Sequence, residues 1–286
     1  MISNVGALEN KGAEFALNVN AINKKELTWN FSFNIAADRN KITRLYDNMT
    51  EIYNLGGYSN NEIQREGNLF LGQPLNNIFV YKFDRIVQES DMAYVNTLQK
   101  GSRVVKPGDI LPLDRDNNEI INDLDRMVVG KKDPDFYGGF TTYLSYRSIA
   151  LNVNTTYSKG AKRVSYLYET LMGSIGNSGA HIDLLKRWTP ENTNTNIPRA
   201  FSDGGRYGLG ETDWTVQDAS FFRISELSLS YTLPGKWIRP FGLQNLRLYT
   251  TGQNLLTVTP YKGYDPDSGD WYPSSRSWIF GLNISF

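Results

Sequence analysis

The stretch that decides the fold is the run Trp278–Phe286, W-I-F-G-L-N-I-S-F. Side chains along a β-strand point alternately to its two faces. One face of this run is apolar throughout and has an aromatic residue at each end: Trp278, Phe280, Leu282, Ile284 and Phe286. The other face is mostly small and polar. Such a strand fits one sheet of a soluble sandwich. It also fits a barrel strand that crosses a bilayer with about 9–11 residues.

Similar alternation recurs upstream and gives seven candidate spanning strands, at residues 12–22, 27–38, 139–147, 149–158, 221–232, 244–256 and 276–286. The connections between them are alternately short and long, and the long ones are 39–137, 159–219 and 258–275. Outer-membrane barrels have short periplasmic turns and longer extracellular loops. A soluble sandwich has no reason to place every long loop at one end. The pattern therefore favours an all-β, antiparallel meander within a transmembrane β-barrel, with the three long segments outside the cell.

The composition excludes several classes of function. The 286 residues include 30 basic and 30 acidic side chains, so the basic surface that a nucleic-acid partner requires is not expected. Cysteine is absent and His181 is the only histidine, which excludes disulfides, thiolate metal sites and multi-histidine metal sites. No apolar run is long enough for a transmembrane helix. The acidic residues are scattered without a shared apolar pocket, so they nominate no acid/base pair, and a β-sandwich hydrolase is the weakest interpretation.

Several local motifs resemble a known family. Residues 218–234, the Gly-Tyr-Asp-Pro motif at 263–266 and the terminal residues 280–286 are similar to the C-terminal signature of SusC/RagA-type TonB-linked outer-membrane proteins of Bacteroidetes. Further similar stretches lie at residues 10–14, 130–139, 187–192, 246–249, 252–257 and 272–273. The resemblance therefore extends over essentially the whole chain and follows the order of the family.

The resemblance implies the C-terminal segment of a barrel of about 22 strands that is closed around a plug. It implies a partial TonB-dependent transporter, and not an enzyme, that imports nutrients, either oligosaccharides or peptides, across the outer membrane of a Gram-negative, Bacteroidetes-like cell. The implied partners are the lipid bilayer, a SusD-like surface lipoprotein, and the TonB complex acting through an N-terminal part that this sequence lacks. The plug and the signal peptide are expected to be absent. A seven-strand piece would leave two open edges, so it is not expected to function alone.

The terminal strand also resembles the insertion signal that the outer-membrane assembly machinery reads. The residues that carry this signal are the five on the apolar face of Trp278–Phe286. An unpaired strand edge can bind a partner by adding to the edge of the partner's sheet.

The sharpest local motif is D-R-D-N-N-E-I-I-N-D-L-D at residues 114–125. Oxygen ligands at alternate positions of a tight loop suit calcium. The candidate ligands are Asp114, Asp116, Asn118, the carbonyl group of Ile120, Asn122 and Asp125. Glu119 stands where the sharp turn of such a loop prefers glycine, and this departure weakens the match. The alternative is a solvated acidic turn. No other cofactor is expected.

Six aromatic residues of the long segments are candidates for stacking on a sugar ring or contacting a partner: Tyr207, Trp214, Tyr261, Tyr264, Trp271 and Tyr272. The alternative is ordinary packing or a membrane-interface girdle. The main alternative to the transporter is a soluble, secreted all-β carbohydrate-binding module with a calcium loop. One observation distinguishes the two. In a barrel, Trp29, Phe31, Phe33, Ile284 and Phe286 form an exposed apolar belt, whereas in a sandwich they pack between two sheets.

Overall fold

The computed structural model describes residues 6–56, 62–101, 104–173, 179–200, 211–269 and 272–286. Its main element is one antiparallel sheet of seven strands, in which the strands follow each other in chain order. The strands are β1 (Gly6–Asn23), β2 (Leu27–Leu45), β3 (Phe136–Tyr146), β4 (Ile149–Lys159), β5 (Phe221–Thr232), β6 (Asn245–Val258) and β7 (Ser277–Ser285). The predicted all-β meander of seven strands is confirmed. Among the described residues, the outer edges of β1 and β7 have no partner strand.

The first two strands are longer than the sequence pattern predicts. β1 begins at Gly6 and β2 continues to Leu45, so the first long segment starts later than residue 39. The added residues are largely polar; Lys11 pairs with Arg39 and Glu9 with Lys41. An extension with polar side chains on both faces shows no hydrophobic alternation. The pairing is continued by the ladder of backbone hydrogen bonds and by a 3.2 Å bond that the Thr43 hydroxyl donates to the carbonyl of Ala7.

Aromatic contacts between neighbouring strands fix the register on the apolar face. Phe33 pairs with Leu17 on one side and with Phe140 on the other. The rings of Phe31 and Phe140 lie 6.1 Å apart between their centroids, and the indole of Trp29 donates a 3.0 Å hydrogen bond to Thr142. Cross-strand pairs of this kind are the main side-chain contribution to sheet stability, at about 0.2–1 kcal/mol each.

A β-bulge in β5 changes the alternation of its side chains. The pairing of β4 with β5 passes from Asn154–Glu226 to Thr155–Ile224, which leaves Ser225 as an extra residue. A bulge puts two residues of one strand opposite one residue of its partner. Ile224 and Leu227 therefore lie on the same face of the sheet, although three positions separate them in the sequence.

The long connections all leave one end of the sheet, which we call the loop end. The other end, the turn end, carries the connections 24–26, 147–148 and 233–244. The described residues of 46–135, 160–220 and 259–276 fold together into what we call the loop layer. It contains five small strand pairs, Glu51–Ile52 with Leu69–Phe70, Leu55–Gly56 with Glu62–Ile63, Asn77–Tyr81 with Arg126–Lys131, Phe83–Ile86 with Ile110–Pro112, and Lys162–Val164 with Val216–Asp218.

Helices are few and short in the ranges that the structure describes. The α-helices are α1 (Met92–Thr97), α2 (Tyr166–Gly173) and α3 (Gly235–Ile238). Single 3-10 turns lie at Tyr46–Asn48, Glu89–Asp91, Asp123–Asp125, Ile182–Lys186, Asp213–Thr215 and Arg239–Phe241. No helix in the described part of the chain has the length and apolar content that crossing a membrane requires.

The hydrophobic core lies in the loop layer and not in the sheet. Among the described residues, every buried apolar side chain except Ile42, Leu45 and Ile238 belongs to this layer. One of its clusters surrounds Val87, Val95 and Leu111, which are at most 2% exposed. The loop layer is thus a folded unit with its own core, and it forms a cap over the loop end of the sheet.

Candidate functional site

The apolar face of the large sheet forms a continuous surface that we call the apolar belt. Strand pairing places on it Phe15, Leu17, Trp29, Phe31, Phe33, Phe140, Leu144, Ile149, Leu151, Val153, Leu227, Leu229, Leu248, Phe280, Leu282 and Ile284. Trp29, Ile284 and Phe286 are exposed, and Phe31 and Phe33 are partly exposed, so they are not packed between two sheets. A soluble protein rarely exposes an apolar surface of this extent, because its contact with water is unfavourable.

The opposite face of the sheet is mostly polar, although Tyr143 and Tyr249 also lie on it. It carries Asn18, Asn20, Asn30, Ser32, Asn152, Asn154, Ser228 and Thr251. Thr251 donates a 2.9 Å hydrogen bond to Ser228 across the β5–β6 pair. Apolar and polar side chains that alternate in this way suit a sheet with lipid on one side and a wet interior on the other.

The terminal strand β7 presents its apolar face without cover. Phe280 is 77% and Phe286 is 82% exposed, and Trp278, Leu282 and Ile284 are also exposed. On the other face Gly281 lies under the ring of Tyr249, and a Cβ atom added to this glycine would meet the ring at 2.3 Å. This close approach of the Tyr249 ring explains why a residue without a side chain occupies the middle of the strand.

The loop at residues 114–125, which we call the carboxylate loop, brings three acidic groups together. Ligand oxygens of Asp114, Asp116 and Asp125 lie within 4.8 Å of one another. Asp114 accepts from the amides of Asn118 at 3.2 Å and Glu119 at 2.8 Å, and Asp125 accepts from two further loop amides. Asp114 and Asp125 are buried, whereas Asp116 is exposed. Three carboxylates this close repel one another, and hard oxygen donors are the ligands that calcium prefers.

The other candidate ligands of the carboxylate loop are placed differently. The Asn118 side chain donates to Asp116 at 2.8 Å and accepts from the amide of Ile120 at 2.7 Å. Asn122 caps the 3-10 turn Asp123–Asp125 by accepting from the amide of Leu124 at 2.8 Å. The carboxylate set therefore fits a divalent cation, while the side chain of Asn122 is held by its capping bond.

A cleft beside the carboxylate loop has an aromatic floor. The rings of Tyr53 and Phe70 are 5.8 Å apart, and those of Phe70 and Phe79 are 4.7 Å apart. The cleft has a volume of about 410 Å³, and its charged rim includes Arg126 and Asp123, which form a 2.9 Å ion pair. The sequence did not reveal this cleft, because its aromatic side chains come from separate short segments that only the fold of the loop layer brings together.

Two charge clusters join the third long segment to the rest of the protein. The first is centred on Asp183, which accepts hydrogen bonds from Lys262 at 2.5 Å and from Tyr168 at 2.9 Å. The hydrogen bond from Lys262 lowers the pKa of Asp183, and the bond from Tyr168 acts in the same direction. Burial, together with the negative charge of Asp183, raises the pKa of the Tyr168 hydroxyl well above its usual range.

The second cluster holds the Gly-Tyr-Asp-Pro motif. The buried carboxylate of Asp265 accepts from Arg223 of β5 at 2.8 Å, from Ser274 at 2.5 Å, and from the amides of Asp267 and Ser268. Burial by itself would raise the pKa of Asp265, but these donors outweigh it and the pKa is lowered. The carboxylate therefore stabilises the fold above its unfolded pKa of about 3.9, and this contribution is lost as the pH falls through the lower folded value.

The four loop aromatics that the structure describes do not form one site. Trp214 stacks on Tyr168 at 5.5 Å inside the loop layer, and Tyr261 is buried. Tyr264 and Tyr272 are exposed at the surface. Tyr207 and Trp271 lie outside the described residues. Among the described loop aromatics, Tyr264 and Tyr272 are therefore the two that are exposed to a ligand, while Trp214 is only partly exposed.

The chain was compared with known proteins. It is 32% identical over its whole length to TonB-dependent receptor P3 of Formosa agariphila and 26% identical over its whole length to TonB-dependent receptor SusC of Bacteroides thetaiotaomicron. It spans 29% and 27% of the lengths of these two relatives. Both are receptors and not enzymes, in agreement with the sequence prediction. No family model matches the chain.

Solved structures show the same fold. A structure of the RagAB peptide transporter matches 99% of this chain with a TM-score of 0.75 at 22% sequence identity, and the match covers 30% of the transporter chain. The 'open-open' state of the RagAB peptide importer matches 99% of the chain with a TM-score of 0.73. The long strands and the loop layer together therefore form an arrangement that is already known from larger proteins.

Proposed function

Since the chain is related over its whole length to TonB-dependent receptors, SusC among them, we propose that it forms part of the barrel wall of a TonB-dependent transporter in the outer membrane. The relationship confirms the resemblance predicted from the sequence. TonB-dependent receptors such as SusC are outer-membrane proteins. The proposed activity is the import of nutrients, either oligosaccharides or peptides, by the complete transporter.

The observation that carries the proposal is the apolar belt on a sheet whose long connections all lie at one end. The belt matches lipid, because the side chains that face outward over the middle of the strands are mostly apolar and include no charged group. The polar face matches a wet lumen. In this arrangement the turn end lies in the periplasm and the loop layer lies outside the cell.

Accessibility to a membrane-impermeant maleimide tests the proposed topology. The sequence contains no cysteine, so a single introduced cysteine reports its own position. Lys186 in the loop layer and Lys236 in the turn end are both exposed. We expect Lys186→Cys to be labelled on intact cells and Lys236→Cys to be labelled only after the outer membrane is permeabilised.

The experiment uses the full-length transporter in a cysteine-free background. Unmodified protein is the control for background labelling. Equal labelling of both variants on intact cells would contradict the topology. Recovery of the protein in the soluble fraction would favour the alternative, a secreted carbohydrate-binding module, although the uncovered apolar belt argues against that function.

We propose that the open edges of β1 and β7 pair with strands that this sequence does not contain. An unpaired edge has unsatisfied backbone groups, which are costly in lipid. Seven strands without such partners would not transport on their own. The further proposed partners of the complete protein are a SusD-like surface lipoprotein and the TonB complex. Tyr264 and Tyr272, exposed on the loop layer, are the proposed contacts with substrate or lipoprotein.

The proposed role of the terminal strand in assembly can be tested at Phe286. Deletion of Phe286 from the full-length protein is expected to lower its outer-membrane level several-fold, because the assembly machinery would lose the terminal aromatic side chain. Quantitative blotting of membrane fractions measures the level. Phe241→Ala, which removes an equally exposed aromatic at the same end of the sheet, is the matched control. An unchanged level after the deletion would contradict the role.

We propose calcium as the ligand of the carboxylate loop, held by Asp114, Asp116 and Asp125. Titration calorimetry of the intact protein with calcium is expected to show a site that Asp116→Ala weakens about tenfold or more. Asp116 is exposed, so its loss leaves the fold in place.

Glu119 has a φ of 62°, so Glu119→Gly is expected to relieve about 1 kcal/mol of backbone strain and to tighten calcium binding. Glu191→Ala, an exposed acid elsewhere, is the control. Equal heats for the unmodified protein and Asp116→Ala would exclude the site.

A further inference from the structure

The turn end carries a positive charge that the chain as a whole does not. The connections 24–26, 147–148 and 233–244 contain five basic residues and one acidic residue, in a chain whose charges cancel overall. The acid, Glu26, pairs with Arg147 at 3.0 Å. The remaining basic residues are exposed and make no ion pair with any other described residue: Lys24, Lys25, Lys236 and Arg239. An excess of four positive charges is thus spread along one rim of the sheet.

The third connection of the turn end is unlike the other two. This connection, 233–244, has twelve residues, whereas the other two have three and two. It contains α3 and the 3-10 turn that follows α3. Ile238 is buried, whereas Trp237 is 54% and Phe241 is 79% exposed. Each exposed aromatic is close in sequence to a basic residue, since Lys236 precedes Trp237 and Arg239 precedes Phe241 by two positions. The backbone amide of Leu233 donates a 2.9 Å hydrogen bond to the carbonyl of Leu246, and this bond holds the start of the connection against β6.

This connection continues the apolar belt. Leu233 follows directly on the end of β5. Near that end Tyr231 pairs with the belt residues Ile149 and Leu248, and Leu233 continues the same alternation. Tyr146, beside Ile149, lies under the guanidinium of Arg147 at 5.2 Å. Aromatic side chains with basic neighbours at the edge of an apolar surface are typical of the membrane–water interface, where aromatic rings lie at headgroup depth and basic groups reach the phosphates.

We propose that the turn end binds anionic phospholipids of the adjacent leaflet. Lys236 and Arg239 contact the lipid phosphates, while Trp237 and Phe241 lie between headgroup and acyl chain. Lys24, Lys25 and Arg147 extend the positive rim along the same end of the sheet. A lipid suits this surface better than a protein partner, because the charge is distributed over three connections and is continuous with the apolar belt. The inference rests on the proposed membrane location of the sheet.

The test compares two lipids that differ only in headgroup charge. The full-length transporter, purified in detergent, is titrated with equal amounts of phosphatidylglycerol and phosphatidylcholine with identical chains, and native mass spectrometry counts the bound lipids. We expect a preference for phosphatidylglycerol that decreases with salt. The double variant Lys236→Gln with Arg239→Gln is expected to reduce this preference about 30-fold, since each basic residue near an anionic surface contributes about a factor of five.

Two further variants separate the contributions. Trp237→Ala with Phe241→Ala is expected to weaken both lipids equally and to leave their ratio unchanged. Lys41→Gln with Lys186→Gln removes two exposed cations at or beyond the loop end and is expected to leave the binding of both lipids unchanged.

Equal binding of the two lipids by the unmodified, folded protein would overturn the lipid proposal and leave the transporter proposal intact. A preference that is undiminished in the Lys236/Arg239 variant would also overturn it. Failure of the unmodified protein to insert into any bilayer would overturn the transporter proposal instead.

Discussion

Leu229→Arg is expected to abolish assembly of the complete protein in the outer membrane. Leu229 lies on the apolar belt, is 44% exposed, and pairs with Leu151 and Thr250 on the neighbouring strands. A charged side chain facing lipid near the bilayer centre costs about 2–4 kcal/mol, and nothing on this face of the sheet compensates for it. The measurement is the amount of heat-modifiable protein in the outer-membrane fraction, because folded barrels migrate faster than unfolded ones on gels.

Ser228→Arg is the matched control. Ser228 is the preceding residue on the same strand, and it faces the opposite side of the sheet, where it bonds Thr251. The same charge should be tolerated there, since the proposed lumen is wet. Equal assembly of the two variants would contradict the assignment of lipid and lumen faces. Failure of both would indicate a requirement for small side chains along β5 and not for an apolar surface.

The second large effect is expected in the loop layer, where Arg65→Met breaks a buried ion pair. Arg65 donates to both carboxylate oxygens of Glu169, at 2.6 and 3.1 Å, and the side chain of Glu169 is 8% exposed. Removal of one partner leaves a buried charge without compensation, which costs about 3–5 kcal/mol. Amide hydrogen exchange in α2 is expected to become about a hundredfold faster, or more, because local opening becomes easier.

Two controls distinguish a buried charge from a lost contact. The double variant Arg65→Met with Glu169→Leu should restore most of the protection, since apolar residues of similar volume can replace a buried pair. Lys82→Met removes the 2.6 Å ion pair with Asp213, in which Lys82 is half exposed, and should cost about 1 kcal/mol or less. Equal effects of Arg65→Met and Lys82→Met would show that burial does not set the strength of these pairs.

The long strands could be predicted from the sequence because their signal is local. In a regular strand, residues two positions apart, such as Leu282 and Ile284, face the same side of the sheet. This is independent of the contacts that the strand makes elsewhere in the fold. The bulge in β5 could not be predicted, since Ser225 leaves the alternation only through its pairing with β4. The polar extension of β1 before residue 12 was missed for a related reason. It has no buried face, and therefore no hydrophobic period.

The loop layer was beyond prediction from local patterns. The strand Glu51–Ile52 exists only because Leu69–Phe70 lies beside it, so the pairing depends on contacts between separated segments. For the same reason an aromatic such as Trp214, in an irregular segment, gives no sign of whether it is exposed or packed. The carboxylates of the carboxylate loop were found because their spacing is local. The capping role of Asn122 is set by the 3-10 turn that follows it.

The location of the hydrophobic core in the loop layer has a calorimetric consequence. The increase in heat capacity on unfolding arises mainly from apolar groups that become hydrated. In a membrane, the belt residues of the sheet are in contact with acyl chains. They are not hydrated as long as the strands remain in the bilayer. The side chains around Val87 and Leu111, in contrast, leave a dry interior for water. The curvature of the free energy of unfolding against temperature therefore depends chiefly on the loop layer. Cooling would destabilise the loop layer before it destabilises the sheet.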